Sequence, residues 1–177
     1  MNKIISIFVV AAALILTNAC NQANSNHNNQ TEKSENTTRY LLVDDVFAQG
    51  DTLANKTVHV VGTIEHVCKH TWKRFKIIGN NENQFIKIEL GDKFQSVDAS
   101  IMGKKVKVTG KLITIKMDEK MVMKWKETMK ENHKGEENTE HYKEELAFIQ
   151  NIHNQIINGE IPYYTNYTIE AESYELE

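Results

Sequence analysis

The sequence predicts a mainly β domain with an α-helical insertion (α+β): a five-stranded barrel with a helical hairpin set between its fourth and fifth strands. Three observations carry this. Short segments with apolar residues at every second position recur between residues 57 and 115, and again near the end of the chain. Gly62 and Gly110 fall in mid-segment, where a tightly coiled sheet needs a bulge or bend. Between residues 117 and 159 the apolar spacing changes to that of amphipathic helices.

Ahead of the barrel, Tyr40 to Ala48 reads as a short helix with Leu41, Leu42, Val46 and Phe47 on one face, stopped by Gly50. Thr57 to Val67 is the first strand, with Val58, Val60 and Ile64 pointing one way and His59, Thr63 and Glu65 the other. Lys73 to Ile78 is the second, closed by the turn Gly79-Asn80-Asn81. Phe85 to Leu90 is the third, with Ile86, Ile88 and Leu90 inward. Ser96 to Met102 forms a short helical segment before the fourth strand, Lys105 to Ile115. Tyr167 to Leu176 is the closing strand. Three strands, a helix, a strand, a long excursion and a strand is the order of an OB-fold.

The excursion carries two stripes. Met117, Met121, Trp125 and Met129 fall four apart on a helix running to about Asn132, which His133-Lys134-Gly135 breaks. A second helix, capped by Asn138 or Thr139 and ending at Gly159, carries Tyr142, Leu146, Ile149, His153 and Ile156. These stripes are expected to pack on each other or on the barrel, with a binding surface as the alternative.

Residues 1–19 read as an export signal. Lys3 gives a positive start, Ile4 to Leu16 is apolar apart from Ser6, and the run is too short to span a membrane comfortably. It ends in Leu16-Thr17-Asn18-Ala19-Cys20, which resembles a bacterial lipoprotein signal with Cys20 as the lipid attachment residue. That pattern prefers Leu three places before the cysteine, where this chain has Thr17. Residues 20–38 comprise Cys20 and a polar, Asn-rich tether that cannot bury enough to order itself. The folded domain is therefore expected over residues 39–177, including the hairpin at 117–159. The expected address is the cell envelope, lipid-anchored at the outer membrane. Asn21-Gln22 lacks the acidic run associated with surface display, so the periplasmic face is favoured.

The chain has two cysteines, so with Cys20 lipidated Cys68 is a lone thiol and no intramolecular disulfide is expected. The formal charge of −3 hides an asymmetry. Residues 56–116 hold twelve Lys or Arg against five Asp or Glu, whereas residues 118–177 hold six against fourteen. A basic half suits an anionic ligand or headgroups; the acidic half can equally well lie beside it and neutralise it.

Two segments carry candidate chemistry. His66-Val67-Cys68-Lys69-His70 would place His66, Cys68 and His70 on one face of a continued strand, donor types that suit zinc or copper. Their spacing is too wide for one ion without a kink, and His141 or His153 from the hairpin offers a further ligand. The second segment, Lys69 to Lys76, interleaves Trp72, Lys73, Arg74 and Phe75 in a pattern that stacks bases and tracks phosphates. Lys87 extends it, with Lys105 and Lys107 as further candidates. Neither a Gly-rich phosphate loop, a Gly-x-Ser-x-Gly elbow nor a His-Glu-x-x-His motif occurs. Asp44-Asp45 and Glu144-Glu145 read as helix-surface charges, and no enzyme is expected.

The stretch VHVVGTIEHVCKHTWKRFKIIG, followed by FIKIEL and GKKVKVTGKL, resembles a group of small OB-fold lipoproteins of Bacteroidetes described as nucleic-acid-binding or tRNA-anticodon-like. The likeness covers roughly residues 40–115 and the ending YTIEAESYEL. In that group Val-Cys-x-His is followed by a Gly and a basic pair. Cys68, His70 and Lys73-Arg74 fit, but Trp72 stands where the Gly is expected. The resemblance implies the fold, the lipid anchor and a nucleic-acid ligand. The expected function is a non-enzymatic module for an oligonucleotide or other anionic ligand. The alternatives are a metal- or haem-binding envelope protein using His66, Cys68 and His70, or an interaction module docking an envelope partner through the acidic hairpin.

Overall fold

The structure, a computed structural model, describes residues 38–177. The export signal, Cys20 and all but the last residue of the expected tether lie outside the described residues. A two-residue strand β1 (Leu41–Leu42) leads into helix α1 (Val43–Leu53). Strand β2 (Thr57–Val67) follows, and its neighbours decide the architecture. Its first part pairs antiparallel with β5 (Lys105–Met117) and its last part with β3 (Arg74–Ile78). Strand β4 (Phe85–Glu89) lies antiparallel to β3 and parallel to β6 (Tyr164–Leu176), and β6 returns antiparallel to β5. The ring β2-β3-β4-β6-β5 closes on itself. It is the five-stranded OB-fold barrel expected from the strand order, with β1 added parallel to β2.

Alternation fills the barrel. Val58, Val60 and Ile64 of β2, Phe75 and Ile77 of β3, and Ile86 and Ile88 of β4 are all buried. Val106, Val108 and Leu112 of β5 meet them from the other side, with Ile169 of β6 and Val43 and Val46 of α1. The period slips within β2. Ile64 and Val67 both face inward although three residues apart, and the pairing with β3 shifts between Ile64 and His66. The irregularity anticipated at Gly62 thus falls beyond it. A strict alternation from Ile64 would send His66 into the core; the slip turns it outward instead.

Several boundaries differ from the sequence reading. Gly50 does not stop α1 but lies inside it, pressed by Tyr167: a Cβ there would stand 2.1 Å from the Tyr167 hydroxyl. The segment between β4 and β5 is only a 3-10 turn, Ala99–Ile101, with Asp98 accepting from the Ser100 N–H. Asp44 is more than a surface charge. It accepts from the Asn80 and Asn81 N–H groups at 3.0 and 3.2 Å and clips the β3–β4 turn to α1, which holds its carboxyl below the usual range.

The excursion is a helical hairpin, α2 (Glu119–Asn132) and α3 (Glu140–Ile157). Asp118 caps α2 through the Met121 N–H, and Thr139, rather than Asn138, caps α3 through the Tyr142 N–H. Val122 and Met129 of α2 pack on Tyr142, Ile149 and Ile152 of α3 in a small core of their own. Of the expected stripe, Met117, Trp125 and Met129 pack on this core, while Met121 is 41% exposed and its neighbour Val122 is buried instead. The hairpin then leans on the barrel through aromatic contacts. Phe148 meets Phe85 of β4 at 5.6 Å, and Trp125 stacks near Tyr164 of β6 at 6.0 Å. Among the described residues no helix is long and apolar enough to cross a membrane.

Two substitutions test this packing. At Gly110, where the β5–β6 pairing also slips, an added Cβ would sit 2.2 Å from the Glu170 carbonyl oxygen. Gly110→Ala is expected to cost about 1–3 kcal/mol in urea denaturation, the scale of an overpacked core. Ile149→Ala is expected to cost about 2–4 kcal/mol and Met121→Ala under about 0.5 kcal/mol; equal losses would contradict the assigned hairpin face.

Candidate functional site

The inward positions of β3 and β4 belong to Phe75, Ile77, Ile86 and Ile88, so Arg74, Lys76, Lys87 and Glu89 stand on the outer face. Strand register arranges them in rows. Arg74 is opposite Glu89, Lys76 is opposite Lys87, and His66 is opposite Lys76 from the neighbouring strand. The hairpin folds back over this face and leaves a cavity of about 720 Å³. That is the size of a small-molecule site, typically about 300–1,000 Å³. Trp125, Met129, His133, His141 and Glu145 form the hairpin wall.

The first row is neutralised: Arg74 and Glu89 form an ion pair. The second is not. Two ammonium groups directly across an antiparallel pair repel each other. Among the described residues neither Lys76 nor Lys87 has a carboxylate within salt-bridge distance. Each rests on an aromatic face instead, Lys76 Nζ 4.8 Å from the Phe85 ring centre and Lys87 Nζ 5.1 Å from that of Trp125. Burial beneath the hairpin, with Lys76 and Arg74 adding repulsion, pushes Lys87 down to about 8, although Glu145 and Glu89 oppose this.

Imidazoles gather at the other end of the cleft. His66 stacks on His141 with ring centres 4.5 Å apart, His70 meets His133 at 5.6 Å, and His133 meets His141 at 5.5 Å. Burial, together with Lys76 and the other imidazoles, lowers His66 to about 4, so it is neutral at pH 7. Cys68 begins the β2–β3 loop, its N–H donating to the Arg74 carbonyl and its carbonyl accepting from the Trp72 N–H, both at 2.9 Å. Burial raises the thiol, but hydrogen bonds from Thr71 and His70 and the Arg74 charge outweigh it and leave the group below its ordinary value.

The residues expected from sequence therefore separate. Lys87 and Arg74 line the cleft. Phe75 is fully buried in the barrel and is not free to stack a ligand. Trp72 packs on the same core, at a backbone φ of +53°, the left-handed region that favours the glycine anticipated at this place. Lys73 donates to the Phe94 carbonyl. Lys107 is held by Glu177 at 2.6 Å, away from the cleft.

His66, Cys68 and His70 do not converge as one ligand set, because β2 ends at Val67 and the loop turns away from strand geometry. His66 and His70 nevertheless face the hairpin histidines across the cleft. His153 lies elsewhere, 3.4 Å from Glu119. Sequence reasoning missed Glu145 and His133 as cleft residues, while Trp125 belongs to the stripe offered as an alternative binding surface. The signal for the first was its spacing from His141, four residues and hence one helical turn.

Lys87 yields a pH-dependent test. Its charged form is disfavoured in the fold, so the full cost falls below pH 8, shrinks between pH 8 and the ordinary lysine value, and vanishes above it. Lys87→Met is expected to be more stable than the parent by on the order of 2 kcal/mol at pH 7, with the gap narrowing near pH 10, measured by chemical denaturation. A gap that widens on raising the pH would contradict the buried charge.

No known protein-family model matches this chain, and no curated protein matches it either.

Proposed function

We propose that the protein is a non-enzymatic OB-fold binding module that takes a small anionic molecule into the cleft between the β3–β4 face and the α2–α3 hairpin. The carrying observation is the Lys76–Lys87 pair: two facing ammonium groups, one of them half-buried beneath the hairpin, held on aromatic rings with no carboxylate partner among the described residues. A bound anion between them relieves both their repulsion and the cost of burying Lys87.

The hairpin lies over the strands that an OB barrel commonly offers to oligonucleotides, and Phe75 and Trp72 belong to the barrel core. Both facts favour a compact anion over an extended strand. The flat surface left in the cleft is Trp125, beside Lys87. The lipid attachment at Cys20 and a periplasm-facing station at the outer membrane complete the proposal. They rest on the signal-like run ending at Ala19 and the polar tether that follows it.

Calorimetric titration tests the reading with inorganic phosphate, a nucleoside monophosphate and a short single-stranded oligonucleotide. The small anions are expected to bind with an affinity that falls as salt rises. Lys87→Met is expected to weaken them about 10-fold to 100-fold, the worth of one charge-assisted hydrogen bond, while Trp72→Ala changes little. Tight oligonucleotide binding that survives Lys87→Met, or no binding of any of the three, overturns it.

A further inference from the structure

The hairpin turn brings together side chains distant in sequence. His133 closes α2, while His141 and Glu145 stand one turn apart on α3. Their ligand atoms all lie within 4.8 Å of one another. Nε2 of His133 and Nε2 of His141 are each 3.7 Å from the same Glu145 oxygen, Oε2. A tetrahedral ion with bonds of about 2.0–2.1 Å holds its ligand atoms about 3.3–3.4 Å apart. The two imidazole–carboxylate distances need close by only a few tenths of an ångström, and the two imidazole nitrogens, within 4.8 Å of each other, by at most about 1.5 Å, which rotation of the two rings can supply.

A second observation is independent of that convergence. The other ring nitrogen of His133, Nδ1, lies 2.7 Å from Glu136 Oε2. A carboxylate there orients the ring with Nε2 towards Glu145, the arrangement typical behind a ligating histidine. Two further imidazoles, His66 and His70, border the group from the barrel side.

We propose that His133, His141 and Glu145 bind a divalent transition-metal ion of the zinc type, bracing α2 to α3 at the mouth of the cleft. Two imidazoles and a carboxylate suit zinc, nickel or copper(II) rather than the thiolate-seeking copper(I). Three protein ligands leave one tetrahedral position for water or a bordering imidazole. The site borders the Lys76–Lys87 row in the same cleft but uses neither lysine nor Cys68, and zinc uptake is read without any added anion, so its failure is distinguishable from failure of the anion reading.

Zinc titration of the metal-stripped full chain against a chromogenic chelator tests it, with circular dichroism to confirm folding. One zinc per chain is expected. Glu136→Gln is expected to weaken binding about 10-fold to 100-fold, and His141→Ala and the near-isosteric Glu145→Gln by more. Cys68→Ser and His153→Ala should bind as the parent does. Zinc should raise the melting temperature of the parent and of Cys68→Ser, but not that of His141→Ala. Failure of the parent to take up zinc, or parent-like affinity in both His141→Ala and Glu145→Gln, overturns the proposal. Loss of binding in Cys68→Ser with His141→Ala unaffected would move the metal to the β2–β3 loop and overturn it equally.

Discussion

Everything else in this domain depends on β2 pairing with both β5 and β3 within the barrel. A sheet closes into a barrel only when its two outermost strands pair with each other, which removes the open edge that would otherwise invite aggregation. Here β2 gives its first part to β5 and its last to β3, with Thr63 paired to both. Such a strand must bend, and the register slip past Ile64 accompanies that bend. The same slip sends His66 to the outside. The closure of the barrel and the placing of a cleft imidazole are thus one event in the backbone.

The cleft shows the opposite priority. In the barrel every inward place holds an apolar side chain, and the described residues include no buried polar or charged residue. Outside, beneath the hairpin, the rule is broken by Lys76 facing Lys87 and by a cluster of histidines. Such local conflict between stability and composition marks surfaces kept for something other than folding. The hairpin makes the conflict sharper. It contributes its own small core and aromatic contacts, and in doing so covers much of Lys87. The acidic half of the chain lies over the basic half through ring contacts and Glu145 more than through paired surface charges.

Much of the fold was legible because alternation is a strong signal where one face is buried. The limits of β2 could be read directly from Thr57–Val67, and those of β3 and β4 to within a residue. Extensions were harder. Strand β5 runs on to Met117 and β6 begins at Tyr164, since each supplies the other's hydrogen bonds beyond the last apolar marker. Gly50 misled because a helix glycine usually signals an end, whereas this one makes room for a ring from β6. The site was less legible. Lys87 and Arg74 were identifiable by their place on strands, but Phe75 was claimed for a ligand when strand parity assigns it to the core. His133 meets His141 and Glu145 only through the hairpin turn, which no spacing within one element encodes.

The parallel neighbour of β4 comes from the far end of the chain, and that has a kinetic meaning. Met117 and Tyr164 face each other directly across the β5–β6 ladder, although the entire hairpin separates them in sequence. Once α2 and α3 have collapsed on each other, the loop they occupy is effectively short, and most of the entropy of joining β5 to β6 has already been surrendered. Pairing can then run outward from Met117 and Tyr164 like a zip. The contact between β4 and β6 has no such local help and belongs to the slow, non-local class of pairings. The hairpin is therefore a folding device as well as a lid: it turns the longest excursion in the domain into the place from which the last strand is threaded home.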